Sequence, residues 1–182
     1  MTDQTAERPW SVLVPLHDIS EAGKHVALEA SAEMRAALAR PARVDAVERL
    51  GAQFDLTPRG RDGVHVAGRV RATVRQTCVV TLEPVVNEID EAVDVDFAPP
   101  RAAAKVDAAD DIDLEASGPE EPEPLIGNAV DLGLLATEFL ILGIDPYPRK
   151  PGVAFEAPQT GDPAAHPFAA LAGWAKKGTV KE

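Results

Sequence analysis

Arg69, Arg71 and Arg75 occupy alternate positions of one run, with Thr73 and Thr77 between and beyond them. Alternate side chains of a strand share a face, so this spacing draws a cationic row about 20 Å long. Arg59 and Arg61 extend the row at the tip of the preceding hairpin. Guanidinium forks match phosphate oxygens in pairs, which makes single-stranded or helical RNA a natural ligand for such a row. The same spacing equally suits a solvated face whose arginines pair with Asp94, Asp96 or Glu88 on a neighbouring strand. No aromatic side chain interrupts the row to offer a stacking platform, which weakens any reading of base sequence.

A second constellation surrounds Cys78, the chain's one cysteine, in Cys78-Val79-Val80-Thr81-Leu82-Glu83-Pro84. The heptapeptide lies between two stretches of alternating hydrophobicity and therefore reads as a corner between strands. A tetrahedral metal site needs about four soft or imidazole ligands. One thiol with the scattered His17, His25, His65 and His166 does not supply them. A nucleophilic thiol needs a nearby base, and the sequence points to none, so the expected role of Cys78 is structural. Gly60 and Gly63 fit a turn, and Gly127 is not followed by the Lys-Ser or Lys-Thr of a phosphate loop. The expectation is a protein that is not an enzyme and carries no cofactor, metal or small-molecule substrate.

The net charge of −12 is concentrated. Between Val85 and Leu125, 13 acidic residues stand against Arg101 and Lys105, whereas from Arg40 to Arg75 eight arginines stand against Asp45, Glu48, Asp55 and Asp62. Whole-chain charge argues against nucleic acid, but this regional asymmetry is of the kind that marks an interaction surface. No apolar run approaches the roughly 20 residues that span a bilayer. Met1 to Arg8 is polar, unlike a signal peptide, and a single cysteine fits a reducing compartment. These features lead to the expectation of a soluble cytoplasmic protein with no membrane contact.

Aromatics make up only 4% of the chain, so Ala and Val must fill much of the core. The expected fold is α+β: an antiparallel sheet of five or six strands, free to curl toward a barrel, packed by two main helices. Trp10–Pro15 alternates as a short edge strand. Asp18 or Ser20 is placed to cap a helix over Ser20–Arg40, with Val26, Ala30, Met34 and Ala37 as its apolar stripe. Val44–Leu50 and Gln53–Leu56 lead to a hairpin in which Asp62-Gly63 supplies positive φ angles. The strand returning from Val64 to Thr77 turns Val66, Gly68, Val70, Ala72 and Val74 to one face. Val85–Phe97 follows, with Val93, Val95 and Phe97 inward. Asp131 caps a second helix reaching Ile144. The expected organisation is a sheet domain over 1–98, an acidic disordered linker over 99–124, a helix packing on the sheet within 125–150, and a Pro-rich tail with a short helix over 151–182.

Three separated motifs are similar to the YceD family, the large ribosomal RNA subunit accumulation proteins of bacteria and plastids. Cys78 with Leu82-Glu83-Pro84 resembles the family's central corner. Asp131-Leu132 with Glu138 resembles its acidic helix start, and His166-Pro167-Phe168-Ala169-Ala170-Leu171 its terminal Asn-Pro-Phe-Ala-x-Leu segment. Thr81 stands where many members carry a second cysteine, so no metal-binding role is carried over. The resemblance implies a non-enzymatic factor supporting large-subunit rRNA processing or accumulation and ribosome assembly. Its expected partner is large-subunit rRNA or its precursor, contacted by Arg59, Arg61, Arg69, Arg71 and Arg75. The alternative partner is a basic ribosomal protein held by the acidic segment. Pro167 and Phe168, with Leu171 and Trp174, could dock on a partner as a short helix or fold back on their own domain.

Overall fold

The computed structural model describes residues 9–100 and 122–155. The chain divides into two compact units, Met1–Pro151 and Gly152–Glu182, and the architecture below is that of the first. In chain order it contains β1 (Leu13–Pro15), β2 (Lys24–Glu29), α1 (Ala32–Ala39), β3 (Ala46–Arg59), β4 (Gly63–Thr77), β5 (Pro84–Ala98), β6 (Glu123–Pro124), β7 (Ala129–Asp131) and α2 (Leu132–Leu142). Five strands form one sheet in the order β2-β3-β4-β5-β6, antiparallel except for the β5–β6 pair. β1 and β7 make a separate two-stranded antiparallel pair. The sheet is open: β2 and β6 are its two edges and do not join into a barrel.

Alternation places the core. On β4, Val64, Val66, Val70, Ala72 and Val74 are buried, as are Leu50, Ala52, Phe54 and Leu56 on β3 and Val85, Ile89 and Val93 on β5. Val95 and Phe97, expected inward, are partly buried at the end of β5. Leu132, Leu135, Ala136 and Leu140 of α2 belong to the same core. Asp131 caps α2 as expected, its Oδ1 accepting the Leu134 N–H at 3.1 Å.

Three expectations need correction. The helix predicted over Ser20–Arg40 is two elements. Lys24–Glu29 forms β2, pairing with Leu56–Gly51 of β3, and only Ala32–Ala39 is helical. Val26 and Leu28 alternate with His25, Ala27 and Glu29, so the segment fits a strand period as well as a helical one, and the vacant edge of β3 decides between them. The helix cap accordingly moves to Ser31, whose hydroxyl accepts the Met34 N–H at 3.2 Å, while the Ser20 hydroxyl donates to the Gly23 carbonyl across a turn. Second, the β3–β4 hairpin takes its positive φ at Gly60 (65°), not at Asp62-Gly63. Gly63 instead opens β4, where a Cβ would lie 2.7 Å from the Arg59 carbonyl oxygen. Third, Glu123 and Pro124, assigned to the linker, form β6 beside Phe97 and Ala98. Residues 101–121 of that linker and the terminal Pro167-Phe168 motif lie outside the described residues.

Candidate nucleic-acid interface

The residues that alternate away from the core build the outer sheet face. Register sets Arg69 opposite Gln53 and Ala92, and Arg71 opposite Gly51 and Asp90. Ala27 and Glu29 of β2 continue these two rows beyond Gln53 and Gly51. Ala27, Gly51 and Gly68 help floor an open groove of about 720 Å³, whose charged lining is Arg49, Arg69 and Arg71 together with Glu29 and Asp55. Arg49 was not singled out from the sequence, because strict alternation from Val47 would turn it inward. A β-bulge between Val47 and Arg49 puts both Glu48 and Arg49 on the exposed face. An extra residue in one strand resets the alternation beyond it.

The arginine row is exposed where the spacing placed it, yet it is not a bare cationic stripe. Asp90 accepts from both Arg69 Nη1 (2.7 Å) and Arg71 Nε (3.4 Å). Arg75 pairs with Glu48 at 3.5 Å, and Arg59 with Asp96 at 2.8 Å. Of the carboxylates expected as partners, Asp96 takes Arg59 and Glu88 accepts the Thr73 hydroxyl at 2.9 Å, while Asp94 faces His65 at 3.9 Å. Among the described residues, no ion pair engages Arg49 or Arg61. The paired groups remain wet: side-chain exposure is 52% for Arg69, 65% for Arg71 and 47% for Asp90. Exposed ion pairs contribute about 0–1 kcal/mol each, so an incoming phosphate can exchange for the carboxylate at small cost.

At the end of β4 the corner closes on itself. The Cys78 N–H donates to the Glu83 carbonyl at 2.8 Å, and the Leu82 N–H to the Cys78 carbonyl at 3.0 Å. Pro148 and Lys150 strap the corner from the far end of the chain, through Val79 N–H to Pro148 O and Lys150 N–H to Cys78 Sγ. The sulfur is fully buried and also accepts the Thr81 N–H at 3.4 Å. The Thr81 hydroxyl first, then the Thr81 and Lys150 N–H groups, lower the thiol pKa from 9.0 to about 6, against an opposing desolvation. Lys150 Nζ meets Glu83 Oε2 at 2.8 Å. This contact draws the Glu83 carboxyl below its ordinary value and raises the Lys150 ammonium above its own. Among the described residues, no three His, Cys, Asp or Glu side chains cluster to hold a metal.

The folded thiol pKa lies below the unfolded one, so between the two the unfolded chain binds the extra proton. The thiolate's contribution to stability is complete above pH 9 and is lost as pH falls through about 6. The stability advantage of wild type over Cys78→Ser is therefore expected to grow across that window. Urea unfolding at each pH checks it, and a pH-independent difference contradicts it.

These features define an α+β protein with one open sheet, a solvent-facing arginine lattice and a tightly strapped corner. The chain belongs to the YceD family, described as large ribosomal RNA subunit accumulation protein, whose model matches residues 66–173. The match begins inside β4, so it takes in Arg69, Arg71, Arg75, the Cys78–Pro84 corner, Asp131 and Glu138, together with Pro167 and Phe168. Arg49, Arg59 and Arg61 precede it. No curated protein and no solved structure matches the chain. Among the described residues, no helix is long and apolar enough to cross a membrane.

Proposed function

We propose that this chain is a non-enzymatic factor that supports large-subunit ribosome assembly by holding large-subunit rRNA, or its precursor, on the outer sheet face. The observation that carries the reading is the open groove lined by Arg49, Arg69 and Arg71, which outnumber its carboxylates Glu29 and Asp55, on a chain whose family is described by large ribosomal RNA subunit accumulation. Guanidinium groups half exposed around small-residue flooring leave room for a phosphodiester backbone. Asp90 orients two of them in its absence. Balanced charge on the face limits non-specific attraction, and the lack of stacking aromatics suits recognition of backbone shape over base sequence. The reading places the protein in the cytoplasm, with rRNA in place of a small-molecule substrate.

Changing Arg69, Arg71 and Arg75 together to glutamate tests the row, and Arg49→Glu tests the groove wall. Binding to large-subunit rRNA fragments is measured across a salt series. The triple variant is expected to bind weakly and to reduce the slope of log affinity against log salt by about 2–3, since each lost phosphate contact releases fewer counterions. Arg49→Glu is expected to reduce it by about 1. Wild-type affinity and slope in both variants would remove rRNA from this face.

A further inference from the structure

The two free edges of the sheet are built differently. β6 is two residues long and ends in Pro124, features that blunt an edge against pairing. β2 runs for six residues, Lys24–Glu29, without proline and without a register shift against β3. The Ala30 N–H bonds inward to the Leu50 carbonyl at 2.9 Å. Backbone groups alternate in direction along a strand of an antiparallel ladder, so His25, Ala27 and Glu29 turn their N–H and C=O groups to the open side. Among the described residues, no strand meets them there. On the core side, Val26 and Leu28 are only partly buried, because their outer flanks lack a neighbouring strand.

Run in the opposite direction, this strand complements itself. When two copies pair antiparallel about a two-fold axis at Ala27, Val26 lies opposite Leu28 of the second copy, and His25 lies opposite its Glu29. The apolar pair completes the cover on the core side. On the outer side, Glu29 has no ion pair among the described residues. His25 uses Nδ1 on Asp55 at 2.8 Å, which leaves Nε2 to meet the incoming carboxylate. The Ala27 side chains face each other at the axis without crowding. An axis at Val26 would instead set Glu29 against Gly23 and lose both matches. At the ends, Lys24 falls opposite Ala30, whose carbonyl accepts from Arg35 at 2.7 Å. Asp18, 4.0 Å from Lys24, brings a carboxylate to those two cations. We propose that β2 is a self-association edge, through which two copies join their sheets by about six backbone hydrogen bonds. His25, Ala27 and Glu29 also line the arginine groove, so the pairing sets two grooves side by side on one face. The shared rRNA site rests on the reading above; the pairing itself does not.

Sedimentation equilibrium of the full chain without RNA follows mass against concentration up to ~1 mM. Wild type is expected to approach twice the monomer mass. Ala27→Pro removes the N–H that each copy donates at the axis, and Ala27→Asp sets two carboxylates directly opposite each other. Each is expected to weaken dimerisation at least about tenfold, whereas Ala27→Ser stays dimeric. Urea midpoints check that the variants fold. Amide exchange of wild type decides the matter without any substitution: the His25, Ala27 and Glu29 amides are expected to slow as concentration rises. A monomer throughout the series overturns the pairing. So does a dimer that both Ala27→Pro and Ala27→Asp leave intact, or one in which those three amides keep their rates, since the contact would then lie elsewhere. The Arg69/Arg71/Arg75 triple glutamate variant is expected to dimerise like wild type. A dimer that binds no rRNA supports the pairing and removes the rRNA face, whereas a monomeric wild type that binds rRNA does the reverse.

Discussion

Phe54→Ala is expected to destabilise the protein by about 3–5 kcal/mol, a large share of the roughly 5–15 kcal/mol that keeps a domain folded. Phe54 is fully buried and sits in the middle of β3, in a chain with few other aromatic residues to fill space. Its cross-strand partner is Gly68. A Cβ on Gly68 would overlap the Gln53 carbonyl oxygen and lie 2.9 Å from Phe54 Cδ1, so the ring occupies the space left by the missing side chain. Truncation to alanine opposite a glycine leaves a void that neither strand can collapse to fill. Urea unfolding gives the magnitude, and a loss below about 1.5 kcal/mol, the range of a tolerated volume-conserving swap, would show that this contact is not central to the core.

The second large effect concerns a carboxylate. Asp131 is 5% exposed, and its Oδ1 accepts the Val12 N–H at 2.8 Å as well as the Leu134 N–H. Its Oδ2 accepts the Ser11 hydroxyl at 2.7 Å. One side chain therefore caps α2 and ties the segment entering β1 to it. Asp131→Ala leaves two backbone donors without this acceptor and is expected to cost about 2–4 kcal/mol, combining a lost cap with charge-assisted hydrogen bonds. Asp131→Asn keeps an acceptor oxygen and is expected to cost less. Urea unfolding is read together with amide exchange at Val12 and Leu134, which should speed up in the alanine variant. A stability loss under about 0.5 kcal/mol with unchanged exchange would mean that Asp131 does not join the two segments.

The contrast between these two residues shows what was legible. The Asp131 cap could be read from the sequence, because a cap is a local relation between a side chain and N–H groups a few residues on. Its grip on Val12, 119 positions away, could not. The outward exposure of Arg69, Arg71 and Arg75 was legible for the same local reason, since β4 keeps an unbroken two-residue period over its length. The identities of their partners were not, since none of Asp94, Asp96 and Glu88 pairs with these three arginines. Asp90 faces Arg71 and Glu48 meets Arg75 because strand register and one bulge place them there, and neither is encoded in the spacing of a single strand. Lys24–Glu29 shows the converse. Its side chains suit either period, and a free sheet edge settled the matter.

Residue order alone established the α+β class, the β3–β4–β5 meander, the inward and outward faces of β4, the Asp131 helix start and the family of the corner motif. These depend on alternation, capping and turn chemistry, all short-range. Tertiary structure alone decided that β2 is a strand, that Arg49 lines the groove, that carboxylates lattice the arginine face, and that Pro148 and Lys150 strap the Cys78 turn so that Leu82 stands outward at positive φ. Each of these requires two distant segments to meet, and their meeting is fixed by the burial and register of the whole sheet, to which any one stretch of sequence contributes only a part.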